Sequence, residues 1–202
     1  MDGYRSPTSS DKPKRRNQPG EARLIQRAQQ GDRQALGELY NRHVDLIYRY
    51  VYARVRDEAV AEDLTAEVFV KALEGLPEYE ARGYPFQAWL YRIARARTVD
   101  YYRRQERRRE VTLDETLPAE RPHPDEFVEM ADRWGRAIDL VAQLTDDQQD
   151  VLILRFIGEL TLTEVADTLG KTTGSVKSLQ HRALTSLARL VDEQTATGAH
   201  DD

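Results

Sequence analysis

Apolar residues recurring every three or four positions, across almost all of the chain between two polar tails, constrain this sequence more than any other feature. No alternating strand pattern competes with them, so the expected fold class is all-α. Leu36, Leu39, Tyr40, His43, Ile47, Tyr50 and Val51 predict a helix from about Arg33 to Val55, with Asp32 as its cap. Val60, Ala61, Leu64, Val68, Phe69, Ala72 and Leu73 predict a second helix after Asp57, with Gly75 as its stop. A loop punctuated by Pro77, Gly83 and Pro85 follows, and a third helix begins near Phe86 and carries Trp89, Leu90, Ile93 and Ala94.

Pro118, Pro122 and Pro124 then mark an extended connector that packs no core. Beyond it Phe127, Ala131, Trp134, Ile138 and Val141 are in helical register. Thr145 with Gln148, and Thr161 with Glu164, have capping-box spacing before apolar runs. The organisation read from these signals is a disordered basic arm at 1–20, a helical domain at 21–107, a connector at 108–125, a second helical domain at 126–192 and a disordered tail at 193–202.

Composition removes several function classes. The 202 residues include no cysteine, and His43, His123, His181 and His200 lack ligand spacing, so neither a metal nor redox chemistry nor any cofactor is expected. No run of about 18 apolar residues occurs, and the first residues lack the apolar core of a secretory signal, so membrane insertion is not expected and the cytoplasm is the expected compartment. The formal net charge of −5 argues against a nucleic-acid partner only on average. From Arg92 to Arg109 eight arginines face two acids, a balance of +6; from Glu110 to Asp132 eight acids face one arginine, a balance of −7. The stretch Thr168–Val191 holds Lys171, Lys177, Arg182 and Arg189 and no acid. Two basic segments therefore flank an acidic one.

The stretch TEVADTLGKTTGSVKSLQHRAL has the requirements of a helix-turn-helix. Ala166 is small where two helices would cross, Gly170 can turn, and Val165, Leu169, Val176 and Leu179 can lock the second helix. That helix would present Thr172, Thr173, Ser175, Lys177, Ser178, His181 and Arg182 outward, a donor-rich face suited to a major groove. An ordinary helical hairpin with a solvated basic face has the same spacing.

In PFQAWLYRIARARTVDYYRRQERRR, arginines interleave with Trp89, Tyr91, Tyr101 and Tyr102. Single-stranded DNA asks for such a mixture, cations for the backbone and flat faces for bases, although a core tryptophan beneath a solvated arginine face fits as well. In AVAEDLTAEVFVKAL, Glu62, Asp63 and Glu67 rim an apolar strip, which suits a basic protein partner. Asp63 and Glu67 at i,i+4 could also hold a divalent metal in a nuclease, yet no third ligand or base is nearby, and no catalytic residue is expected.

The order of these segments resembles the sigma-70 family of RNA polymerase sigma factors, and within it the extracytoplasmic-function group, over about residues 21–191. The resemblance implies that Glu62, Asp63, Leu64, Glu67, Val68 and Phe69 dock on core RNA polymerase. It implies that Trp89, Arg92, Arg95, Tyr101, Arg103 and Arg104 meet the minus 10 promoter element, with Tyr79, Arg82, Gly83 and Tyr84 around a flipped base. Thr172 to Arg182 would read the minus 35 element, and the acidic connector would thread the polymerase cleft. An anti-sigma factor is a further implied partner. The sequence departs from the family pattern at Ala96 and at Leu179–Gln180. Three other readings remain: an autonomous helix-turn-helix regulator on a palindromic site, a polymerase-binding adaptor that never reads DNA, and a metal nuclease built on Asp63.

Overall fold

The computed structural model describes residues 20–81, 83–111 and 137–198, with the side chains of 109–111 and 195–198 left aside. Every regular element among the described residues is helical, without a strand. The expected arm, most of the connector and the stretch holding Phe127, Ala131 and Trp134 lie outside them.

The first lobe opens with α1 (Glu21–Gln29), a helix not anticipated as a separate element, and turns into α2 (Arg33–Val55). Asp32 caps α2 as expected, its Oδ1 accepting from the backbone N–H groups of Gln34 and Ala35 at 3.0 and 3.2 Å. The Ala35 bond first, and then the Arg27 side chain, hold this carboxyl below the usual carboxylate range. α3 (Glu58–Gly75) starts, as expected, after Asp57, which caps it by accepting from Val60 N–H at 2.9 Å. A 3₁₀ turn (Leu76–Glu78) leads to the loop before α4 (Phe86–Val111). α4 runs through 108–111, residues expected to belong to the connector.

Helix α3 ends at Gly75, the stop expected from the sequence, but by a different geometry. The Gly75 φ of −88° is right-handed, so it does not stop α3 as a left-handed cap. Its missing side chain leaves room for Trp89, because a Cβ there would lie in tight contact, 3.3 Å from Cζ2 of that ring.

In the second lobe, residues 137–141 are helical and α5 (Asp146–Leu152) begins with the Thr145–Gln148 capping box before a π-helical turn (Ile153–Ile157). α6 (Leu162–Leu169) begins with the Thr161–Glu164 box, and α7 (Thr173–Gly198) follows. Gly170 links them at φ 63°, a left-handed conformation that costs glycine nothing and a side chain roughly 1 kcal/mol.

Two separate cores were expected, but one main core spans both lobes. Ile47, Val51, Leu64, Val68 and Leu90 of the first lobe share it with Val151, Leu154, Leu160, Val165 and Val176 of the second. A smaller cluster of Leu144, Leu152 and Ala183 lies within the second lobe. Faces of α2 and α4 therefore bury against α5, the π turn and α6.

Candidate nucleic-acid interface

The helix-turn-helix is assembled from the residues its spacing predicted. Val165, Ala166 and Leu169 of α6 are buried with Val176, Leu179 and Ala183 of α7. The start of α7 is fixed by Ser175 N–H donating to Thr172 Oγ1 at 3.2 Å. Once those apolar residues face inward, a helix must turn the positions between them outward. Thr172, Thr173, Ser175, Lys177, Ser178, His181 and Arg182 are all exposed. Leu179 points into the core, and Gln180 accepts from Arg155 Nε at 3.3 Å, so neither residue of that pair belongs to the outward face.

The α4 side is more crowded. Trp89 is half-buried, its ring centroid 4.7 Å from that of Tyr79 and 5.3 Å from that of Phe86. Tyr79 meets Phe86 edge-on at 5.2 Å. Burial, and then the negative charge of Glu21, push the Tyr79 hydroxyl above its ordinary value. Gly83 is exposed at φ 81° and Tyr84 is half-buried, while Arg82 lies outside the described residues. Farther along, Tyr101 meets Tyr102 edge-on at 5.5 Å, Arg103 is exposed, and Arg104 lies 4.0 Å from Glu67.

Two of the predicted DNA contacts are engaged by the other lobe. Arg92 pairs with Asp167 of α6, and Arg95 Nε donates to Asp150 Oδ2 at 2.7 Å. Asp150 also accepts from Tyr50 Oη at 3.0 Å and lies 3.6 Å from Arg54 Nε. Arg54 donates to Gln149 at 2.6 Å and to Asp146 at 2.8 Å. The Arg54 and Asp150 side chains are only 3% and 2% exposed. Burial works against the charge on Arg54, but Asp150, Tyr50 and Asp146 more than offset it and hold its pKa above the ordinary value. Burial, reinforced by Asp150, pushes Tyr50 well above the ordinary tyrosine value.

This network was missed at the sequence level. One signal was available: Arg54 continues the buried stripe of His43, Ile47, Tyr50 and Val51, where an unpartnered cation would be costly. Its partner on α5 could not be read from spacing.

On α3, Glu62 and Asp63 are exposed and Glu67 is half-exposed. Leu64 and Val68 require correction: at 3% and 0% exposure they are core residues, with no surface to offer a partner. Phe69 is partly buried, its ring 4.7 Å from that of Tyr40. The outward apolar strip consists of Tyr40, Val70 and Leu73, which are 46, 53 and 52% exposed. Among the described residues, no group of three or more His, Asp or Glu is arranged to hold a metal ion, and no helix is long and apolar enough to cross a membrane.

A helix-turn-helix with an acid-free outer face, beside an aromatic and arginine-lined helix, defines a DNA-binding protein. The Sigma-70 region 2 family model matches residues 39–108, and the Sigma-70, region 4 model matches residues 140–189. The chain is 40% identical over 173 residues to the ECF RNA polymerase sigma factor BldN of Streptomyces coelicolor, covering 84% of this chain and 65% of that one. It is 37% identical over 182 residues to SigD of Mycobacterium tuberculosis, covering 87% and 84%. The fold matches that of CnrH, solved in complex with the cytosolic domain of CnrY, with a TM-score of 0.65, 23% identity and coverage of 84% of this chain and 96% of that one. It also matches RpoE of Bartonella quintana, solved with the anti-sigma factor NepR, with a TM-score of 0.66, 20% identity and coverage of 77% and 96%. The chain belongs to the sigma-70 family of RNA polymerase sigma factors, in its extracytoplasmic-function group.

Proposed function

We propose a division of labour between the lobes for promoter recognition by this sigma factor. Glu62, Asp63 and Glu67 give charge, and Phe69 with the exposed Tyr40, Val70 and Leu73 gives area, to a contact with a helical surface of core RNA polymerase. Thr172 to Arg182 enter the major groove at the minus 35 element. Tyr79, Gly83, Tyr84 and Trp89 receive a base drawn from the minus 10 duplex, with Arg103 and Arg104 along the backbone. Opening the duplex takes a few kcal/mol per base, and stacking supplies about 1 to 3 kcal/mol each, so binding drives melting without chemistry by the protein itself.

The observation that carries this reading is the simultaneous outward projection of all seven polar residues of the α7 segment. Arg92 and Arg95 reach DNA only after their pairs with Asp167 and Asp150 break, so engagement separates the lobes. Trp89→Ala is expected to lower open-complex formation while leaving core binding intact; unchanged melting counts against the pocket. Asp63→Arg should weaken core binding, and normal affinity removes that contact. The site of action is the cytoplasm, with polymerase. An anti-sigma factor, a partner class with which RpoE was solved, is the proposed inhibitor.

A further inference from the structure

We infer that Gln29 is a positioning residue for base capture, which makes α1 part of the melting apparatus although it precedes the region 2 match at residues 39–108. The inference rests on the reading above that the Tyr79–Trp89 pocket receives a base. Gln29 is the last residue of α1, and its Nε2 donates both to the Leu76 carbonyl at 3.0 Å and to the Tyr79 carbonyl at 2.8 Å. Those oxygens bracket the 3₁₀ turn that delivers Tyr79 to the pocket. The Leu76 carbonyl also accepts from the Tyr79 backbone N–H at 3.1 Å, and a primary amide carries two N–H groups on one nitrogen, so a single side chain clamps both ends of the turn.

The other end of α1 supports the opposite wall. Glu21 Oε1 lies 3.2 Å from His43 Nε2, both residues are buried, and the His43 ring packs 5.4 Å from Phe86. Phe86 in turn touches Tyr79 and Trp89. α1 therefore holds the tyrosine wall through Gln29 and the phenylalanine floor through Glu21 and His43. Stacking a flat base needs these rings held to within about 0.5 Å, a tolerance an untethered turn does not meet.

Gln29→Glu keeps the shape and removes both donors, placing a carboxylate against two carbonyl oxygens. Holoenzyme reconstituted with this variant is tested on a promoter selected from a random library by the wild type, with a fluorescent base analogue at the flipped position. The expected result is a loss in open-complex formation of about tenfold. It is accompanied by weaker discrimination among the four bases at that position, while core affinity and minus 35 duplex binding stay within about twofold. Gln29→Leu, which packs but donates nothing, should show the same loss. Parallel losses of melting, core binding and minus 35 binding overturn the inference, because they mark a general folding role. Unchanged melting and base preference in Gln29→Glu, with Tyr79→Ala impaired, overturn the positioning role alone. Unchanged melting in both variants overturns it together with the pocket.

Discussion

The outer face of α7 and the basic face of α4 are both donor-rich, yet they stand in different states. Along α7, Lys177 and Arg182 are exposed and form no ion pair with any described residue. Along α4, Arg92 and Arg95 are already paired with acids of the second lobe, and Trp89 is half-covered by its aromatic neighbours. The element proposed to read duplex is presented, whereas part of the element proposed to melt it is held in the contact between lobes. The difference lies in location: α7 packs one side against α5 and α6 and turns the other outward, while α4 is pressed between α2, α3 and α6.

The largest test of that contrast removes the acid at its centre. Asp150→Ala removes the carboxylate shared by buried Tyr50, Arg54 and Arg95, and because Arg54 keeps Asp146 and Gln149 the expected cost is about 2 to 3 kcal/mol. Fluorescence energy transfer between probes on the two lobes should report separation, and an unchanged distance would show that the apolar core alone holds them. Alkali should act on the same site. The folded Tyr50 has a raised pKa, so its stabilisation is present below the ordinary tyrosine value and is lost as pH rises beyond it. Tyr50→Phe should blunt this alkaline loss of energy transfer.

Next in size are changes on the presented face. Arg182→Ala should cost about 1 to 3 kcal/mol in duplex affinity if it contacts a base edge, with relaxed preference at one position. Lys177→Ala, if it meets a phosphate, should weaken all sequences alike and flatten the salt dependence, and neither change should alter the distance between lobes. Thr161→Ala removes one half of a capping box and should lower stability by about 1 kcal/mol, read as a fall in melting temperature. Smallest is Asp167→Ala: its pair with the exposed Arg92 is worth about 0 to 1 kcal/mol, so single-stranded DNA affinity of the free chain should rise a few-fold at most.

Much of this architecture is legible from short-range patterns. Asp32, Thr145 and Thr161 cap where their side-chain chemistry predicts, and Asp57 caps the helix expected to follow it, because a cap is satisfied by backbone groups two or three residues away. The α7 face is legible for a similar reason: burial of Val176, Leu179 and Ala183 dictates the direction of every residue between them. The same logic explains the errors on α3. The family resemblance implies Leu64 and Val68 as docking residues beside Glu62, Asp63 and Glu67, whereas the helical turn sends them inward. Gly75 ends α3 as expected, but in a right-handed conformation, and the space its missing side chain leaves is used by Trp89 from a different helix.

The amino-acid sequence by itself determined the all-helical class, the helix boundaries marked by capping side chains, and the presented face of the helix-turn-helix, since each depends on neighbours within one or two turns. Only the tertiary structure decided that Asp150 binds Tyr50, Arg54 and Arg95, that Gln29 ties the turn from Leu76 to Tyr79, and that two lobes share one core. Those partners are separated by 47 to 100 residues. Their pairing depends on how whole helices cross, which no local spacing encodes.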